Sequence, residues 1–201
     1  MPMRIGPLLA LALVLAPPAA AQPATERIGA WLLTCMTDRM TDRTECRLRH
    51  RDPVEGGDAP LHLEIVERGG RYLPVLVARD VTLEGAARVL TALTATAQMR
   101  FPPARLFEMP CGLAGRSVLC APRPEDSARA AEEMLRSRTV LVRLVGLGGA
   151  GADAPPVELQ MDGIEEAIGR LRARATPGRS VPEAPPGFSL PDLFRRLQDL
   201  F

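Results

Sequence analysis

Apolar and polar side chains alternate along much of this chain, the signature of half-buried strands. From Ile28 the run Ile-Gly-Ala-Trp-Leu-Leu-Thr-Cys sets Trp31, Leu33 and Cys35 on one face and Ile28, Ala30 and Leu32 on the other. Both faces are apolar, which predicts an inner strand between packed layers, with Trp31 as a core anchor beside Cys35. A polar tandem repeat follows, Met36-Thr-Asp-Arg and Met40-Thr-Asp-Arg. Its Asp38 and Asp42 can bond their own backbone two residues on, so the repeat reads as a turn. The returning strand starts at Cys46, with Leu48 and His50 on one side and Arg47, Arg49 and Arg51 on the other. That arginine row must face water or an acidic partner.

Leu61, Leu63 and Ile65 alternate with His62 and Glu64, and Gly69-Gly70 then turns the chain into a strand from Tyr72 to Ala78. Pro74 cannot donate a ladder hydrogen bond, which places that strand at an edge or the proline at its start. Gly85–Leu93 fits a helical turn or a strand, because Ala, Leu and Val suit either. Ala95, Ala97, Met99 and Phe101 alternate with Thr96, Gln98 and Arg100, and Pro102-Pro103 stops that strand. Arg105–Pro110 and Ser117–Ala121 flank Cys111-Gly-Leu-Ala-Gly-Arg, a second short hairpin or loop. A helix is expected over about Glu125–Ser137, with Glu125 and Asp126 in its first turn and a stripe of Ala128, Ala131, Met134 and Leu135. Strands follow at Thr139–Val145 and Val157–Met161. Asp162, with Glu165 three places on, resembles a capping box ahead of a helix whose stripe is Ile164, Ala167, Ile168 and Leu171.

The pattern therefore predicts a mainly β fold: an antiparallel β-sandwich with two peripheral helices and two local disulfides, followed by a C-terminal amphipathic tail helix. Residues 1–21 read as a signal peptide cleaved after Ala21, with Arg4, an apolar run from Ile5 to Ala16 and Ala19-Ala20-Ala21. That run has 12 residues, short of the roughly 20 a membrane-spanning helix needs, so the mature chain is expected to lack a transmembrane helix. Residues 22–175 form the clamped domain. Residues 176–187 hold four prolines and two glycines and make a linker. In residues 188–201, Leu190, Leu193, Phe194, Leu197, Leu200 and Phe201 form an apolar stripe. A helix that short is marginal in water, so it is expected to dock on its own domain, a protein groove or a membrane surface.

Charge narrows the partners. Without Arg4 the remaining 24 basic residues balance 24 acidic ones, unlike the basic footprint of a nucleic-acid binder. The four cysteines allow three connectivities. The local pairs Cys35 with Cys46 and Cys111 with Cys120 are favoured because each brackets a hairpin-like segment, and each closed loop is worth roughly 3 kcal/mol. No Cys-x-x-Cys is present, and His50 and His62 lack ligand spacing, so neither a metal nor a cofactor is expected. Gly146-Leu-Gly-Gly-Ala-Gly151 matches the dinucleotide fingerprint, but Asp153-Ala-Pro-Pro forbids the helix that must open there.

Several features taken in order resemble the invasion-associated locus B family of exported bacterial proteins. They are Gly29-Ala-Trp31 before Cys35, the Met-Thr-Asp turn, Cys46, the Cys111/Cys120 pair, the acidic helix leading to Thr139-Val-Leu-Val, and Leu159-Gln-Met-Asp-Gly-Ile-Glu-Glu-Ala-Ile. The similarity spans Ile28 to Leu171. It implies a periplasmic or surface-exposed, mostly β domain without an established enzymatic activity; only the cysteines and Trp31 carry over, as structural positions. The expectation is a periplasmic or secreted, non-catalytic protein that binds an unknown protein or envelope partner. Candidate contacts are Arg47, Arg49, Arg51, Leu193, Phe194, Leu197 and Phe201. The alternatives are a periplasmic hydrolase using paired carboxylates, with Glu64 and Glu158 as candidates, and a structural accessory of a secretion or envelope machine.

Overall fold

In the computed structural model, residues 24–54, 60–79, 96–145 and 155–175 are described. The expected signal peptide, residues 80–95, the Gly146–Gly151 run, the expected linker and the expected tail helix with Leu193, Phe194, Leu197 and Phe201 lie outside them. Ten strands and two helices occur in the order β1 (Ala24–Ile28), β2 (Trp31–Asp38), β3 (Arg43–His50), β4 (His62–Arg68), β5 (Arg71–Ala78), β6 (Thr96–Arg100), β7 (Phe107–Ala114), β8 (Ser117–Cys120), α1 (Pro124–Arg136), β9 (Thr139–Val145), β10 (Val157–Gln160) and α2 (Ile164–Arg174). All strand pairs are antiparallel, in the order β1-β2-β3-β4-β5-β8-β7-β6-β9-β10. The mainly β, antiparallel expectation holds.

One strand joins the two halves of this sheet. Phe107–Pro110 of β7 pair with β6, whereas Cys111–Ala114 pair with β8. A strand that changes partner along its length is how one layer passes into another. Side chains from both halves, among them Trp31, Leu33, Leu48, Leu63, Met99, Met109, Val140 and Leu159, share a single apolar core. Helix α2 lies over the inner face of the first strands, burying Ile164, Ala167, Ile168 and Leu171 as its stripe predicted. Arg170 and Arg174 of α2 both reach Glu26 on β1, and Arg172 stacks over Tyr72 on β5.

Both local disulfides form, each between residues directly opposite one another, with Cα atoms 4.1 Å apart for Cys35–Cys46 and 4.0 Å apart for Cys111–Cys120. Such close pairs are the non-hydrogen-bonded rungs of an antiparallel ladder, where side chains are near enough to bridge. Gly69-Gly70 makes the expected hairpin, with φ positive at both residues. Pro74 falls where β5 pairs only with β4, because β8 joins β5 at Leu76–Ala78. Its missing donor therefore leaves no ladder position vacant.

Five expectations are corrected. Ile28–Cys35 is two strands, because Gly29 and Ala30 turn the chain and Ile28 pairs with Trp31. Trp31 is fully buried but sits beside His50, with the Leu33–Leu48 rung between it and the disulfide. The segment Cys111–Ala114 is strand, and only Gly115 and Arg116 turn. Helix α1 buries Ala130 and Met134, leaving Ala128 exposed and Leu135 at 42% exposure. No capping box forms at Asp162: Gly163 caps α2 in the left-handed conformation without a side-chain bond.

The reason for that cap lies across the fold. The Asp162 carbonyl accepts the Ala30 amide at 3.0 Å, and Gly29 packs so closely that an added Cβ would stand 2.3 Å from the same oxygen. Nearby, Nε2 of the fully buried His50 donates to the Gln160 carbonyl at 2.9 Å, and the Asp52 amide donates to Nδ1 at 3.0 Å. The start of β2 and the end of β3 are thus fastened to the β10–α2 junction. Two motifs distant in sequence, Gly29-Ala-Trp31 and Asp162-Gly163, meet here.

Candidate functional site

Strand parity puts Arg47 and Arg49 on the outer face of β3, because Leu48 and His50 beside them are buried inside, and Arg51 follows just past the strand's end. Arg47 and Arg51 are exposed and Arg49 is half-buried. Arg51 makes a loose pair with its neighbour Asp52 at 3.4 Å. Pairing with β4 sets Arg49 opposite Glu64, and pairing of β4 with β5 sets Glu64 opposite Val75 and His62 opposite Val77. Arginines, His62 and Glu64 therefore share one surface.

Arg49 Nη1 donates to His62 Nε2 at 3.2 Å. Arginine has no acceptor, so this bond requires an unprotonated Nε2, and the neutral ring carries its proton on Nδ1. Burial holds the His62 ring below its ordinary value, the Arg49 charge and His50 push the same way, and Glu64 opposes them. Glu64 is itself buried, contrary to its expected place on a polar face. Arg79 grips it with two bonds, one from Nε to Oε1 at 3.0 Å and one from Nη2 to Oε2. Beside it, Val75, Val77, Leu119 and Ala121 form a small apolar cluster with Val66.

The β2–β3 hairpin projects beyond this face. The pairing of β1 with β2 reaches Cys35, and that of β3 with β4 spans Leu48 and Arg49. The Cys35–Cys46 disulfide staples the hairpin near the point where its neighbours end. Its tip is held by Asp38, which accepts the Met40 amide at 2.8 Å and the Thr41 hydroxyl at 2.9 Å. Those bonds, the Met40 amide first, lower the Asp38 carboxyl below its usual value. Asp42 takes the left-handed conformation, with φ 51°. Met40 is 91% exposed and Met36 60%.

Glu64 and Glu158 do not form a pair: Glu64 is committed to Arg79, and Glu158 is exposed on β10. All four cysteines are oxidised, and among the described residues no three of His, Cys, Asp and Glu converge as a metal ligand set. Nor is any described helix long and apolar enough to cross a membrane. The side of β3 on which the arginines stand was legible in the sequence. Burial of Glu64 and the Arg49–His62 bond were not, since both depend on the register between β3 and β4.

No family model matches the chain, and no curated protein does. Among solved structures, it is similar to the crystal structure of invasion associated protein B from Bartonella henselae, at 14% identity and a TM-score of 0.45, over 75% of this chain and 96% of that one.

Proposed function

We propose that this chain is an exported, non-catalytic envelope protein that works by binding a protein or envelope partner, with the outer arginine row and residues 188–201 as its contact surfaces. The observation that carries the reading is the use made of its buried polar groups. Among the described residues the titratable side chains buried as a whole are His50 and Glu64, and each has its hydrogen-bonding atoms engaged by the fold itself. Export is supported by the cysteines: both disulfides are structural cross-strand clamps and none is left free, the usage of an oxidising compartment. The reading takes in the resemblance to the invasion-associated locus B family, since the two motifs that carry its ends pack against each other at Gly29 and Asp162.

The test compares recovery from a cell-envelope fraction of the wild type, the double variant Arg47→Glu/Arg51→Glu, and a chain lacking residues 188–201. Reduced association of either variant, at an unchanged melting temperature, is the expected result. Equal association of all three would overturn the assignment of these surfaces.

A further inference from the structure

We propose that His62 is a proton-operated latch on the arginine row: the neutral ring holds Arg49 back, and protonation releases that guanidinium to an anionic partner. The inference rests on the reading of Arg47, Arg49 and Arg51 as a contact surface and supplies its regulation.

The geometry leaves one arrangement for the closed latch. With Arg49 Nη1 at 3.2 Å from Nε2, the ring must accept, and its proton sits on Nδ1, which is buried without an acceptor. A second proton can go only to Nε2. The acceptor then becomes a donor, the hydrogen bond is lost, and two cations face each other at that distance. Arg49 must swing away, and the side open to it is the outer face, where Arg47 and Arg51 already stand exposed. Released, it joins Arg47, whose Cα lies about 6.7 Å back along the strand, twice the rise of a strand residue, and the exposed Arg51 just past the strand's end. Forked guanidiniums suit carboxylate, phosphate or sulfate groups.

The groups facing His62 set the direction of the response. From β3 come Arg49 and His50, both of which oppose charging; on β4 itself is Glu64, which favours it; across on β5 is Val77, which does not titrate. Burial adds to the opposition. Glu64 is already held by Arg79, so the latch stays closed at neutral pH and opens under acid conditions. His62 is thus a positioning residue for Arg49.

Two measurements test this on the intact chain. In the first, nitrogen-resolved NMR follows the His62 ring and the Arg49 guanidinium between about pH 8 and pH 5, the span over which histidines titrate. The Arg49 signal is expected to move with the His62 midpoint, and Arg49→Met to raise that midpoint. An Arg49 signal indifferent to His62, or a midpoint unmoved by Arg49→Met, overturns the latch. In the second, binding to dextran sulfate is compared for the wild type and His62→Gln, whose amide oxygen can accept from Arg49 at every pH. The wild type should gain roughly fivefold more affinity on acidification than the variant, the worth of one exposed charge pair. Equal gains overturn the release step. Co-titration without dextran sulfate binding at any pH would leave the Arg49–His62 coupling standing and overturn its use toward an anionic partner.

Discussion

Replacing Gly29 with alanine isolates the energy stored in the closure of this fold. The control is Gly69, because the two glycines have nearly the same backbone, with φ of +57° and +58°. An alanine at either position meets the same left-handed strain, about 1–2 kcal/mol. At Gly69 that is the whole effect, since nothing lies within 4 Å of the added Cβ. At Gly29 the methyl would stand 2.3 Å from the Asp162 oxygen, 2.8 Å from its carbonyl carbon and 3.2 Å from the Gly163 Cα. These are backbone atoms at the head of α2, so relief requires the β1–β2 turn and the helix to part. Parting them breaks the Ala30–Asp162 bond, worth about 1 kcal/mol, and slackens the packing around it. The expected losses are about 1–2 kcal/mol for Gly69→Ala and about 3–4 kcal/mol for Gly29→Ala. At about 2–4 °C per kcal/mol for a chain of this size, the melting temperatures should fall by roughly 4 °C and roughly 10 °C. Urea unfolding followed by the fluorescence of Trp31, the single tryptophan, provides the assay, with unchanged slopes required for the comparison. Equal losses in the two variants would refute the close approach as a source of stability.

Three further outcomes are expected. Met134→Ala should cost about 2–5 kcal/mol, because that side chain is fully buried, whereas Leu135→Ala should stay within about 0.5 kcal/mol; similar values measured by urea unfolding would contradict the face assigned to α1. Replacing Cys35 and Cys46 together by serine should cost roughly 2–4 kcal/mol, since the bridge spans 11 residues of sequence, and identical melting curves for this variant and the wild type would refute the clamp. His62 binds its proton less readily folded than unfolded, so its contribution is fully present above the ordinary value of 6.5 and declines as the pH falls from there to the depressed folded value, below which it levels off. Unfolding free energies across that window should slope upward with pH in the wild type and less so in His62→Gln; matching slopes would remove His62 as the cause.

Local periodicity determined much of this protein. A period of two is a property of one strand, so the sides taken by Trp31 and Leu33, and by Leu48 and His50 against Arg47, Arg49 and Arg51, could be read without knowing the neighbours. The stripe Ile164, Ala167, Ile168 and Leu171 and the two cysteine pairs were legible for the same reason, since each is set by spacing within one short segment. What the tertiary structure decided is what lies against each face. Glu64 alternates like a solvated residue, yet pairing of β4 between β3 and β5 and the grip of Arg79 bury it. Helix α1 has several small apolar positions, and packing kept Met134 of the expected stripe but buried Ala130 in place of Ala128 and Leu135. Gly29 looked like part of a strand because its turn serves a contact with Asp162, more than a hundred residues away. Sequence spacing fixes directions within an element, whereas burial and charge pairing depend on partners brought in from remote parts of the chain.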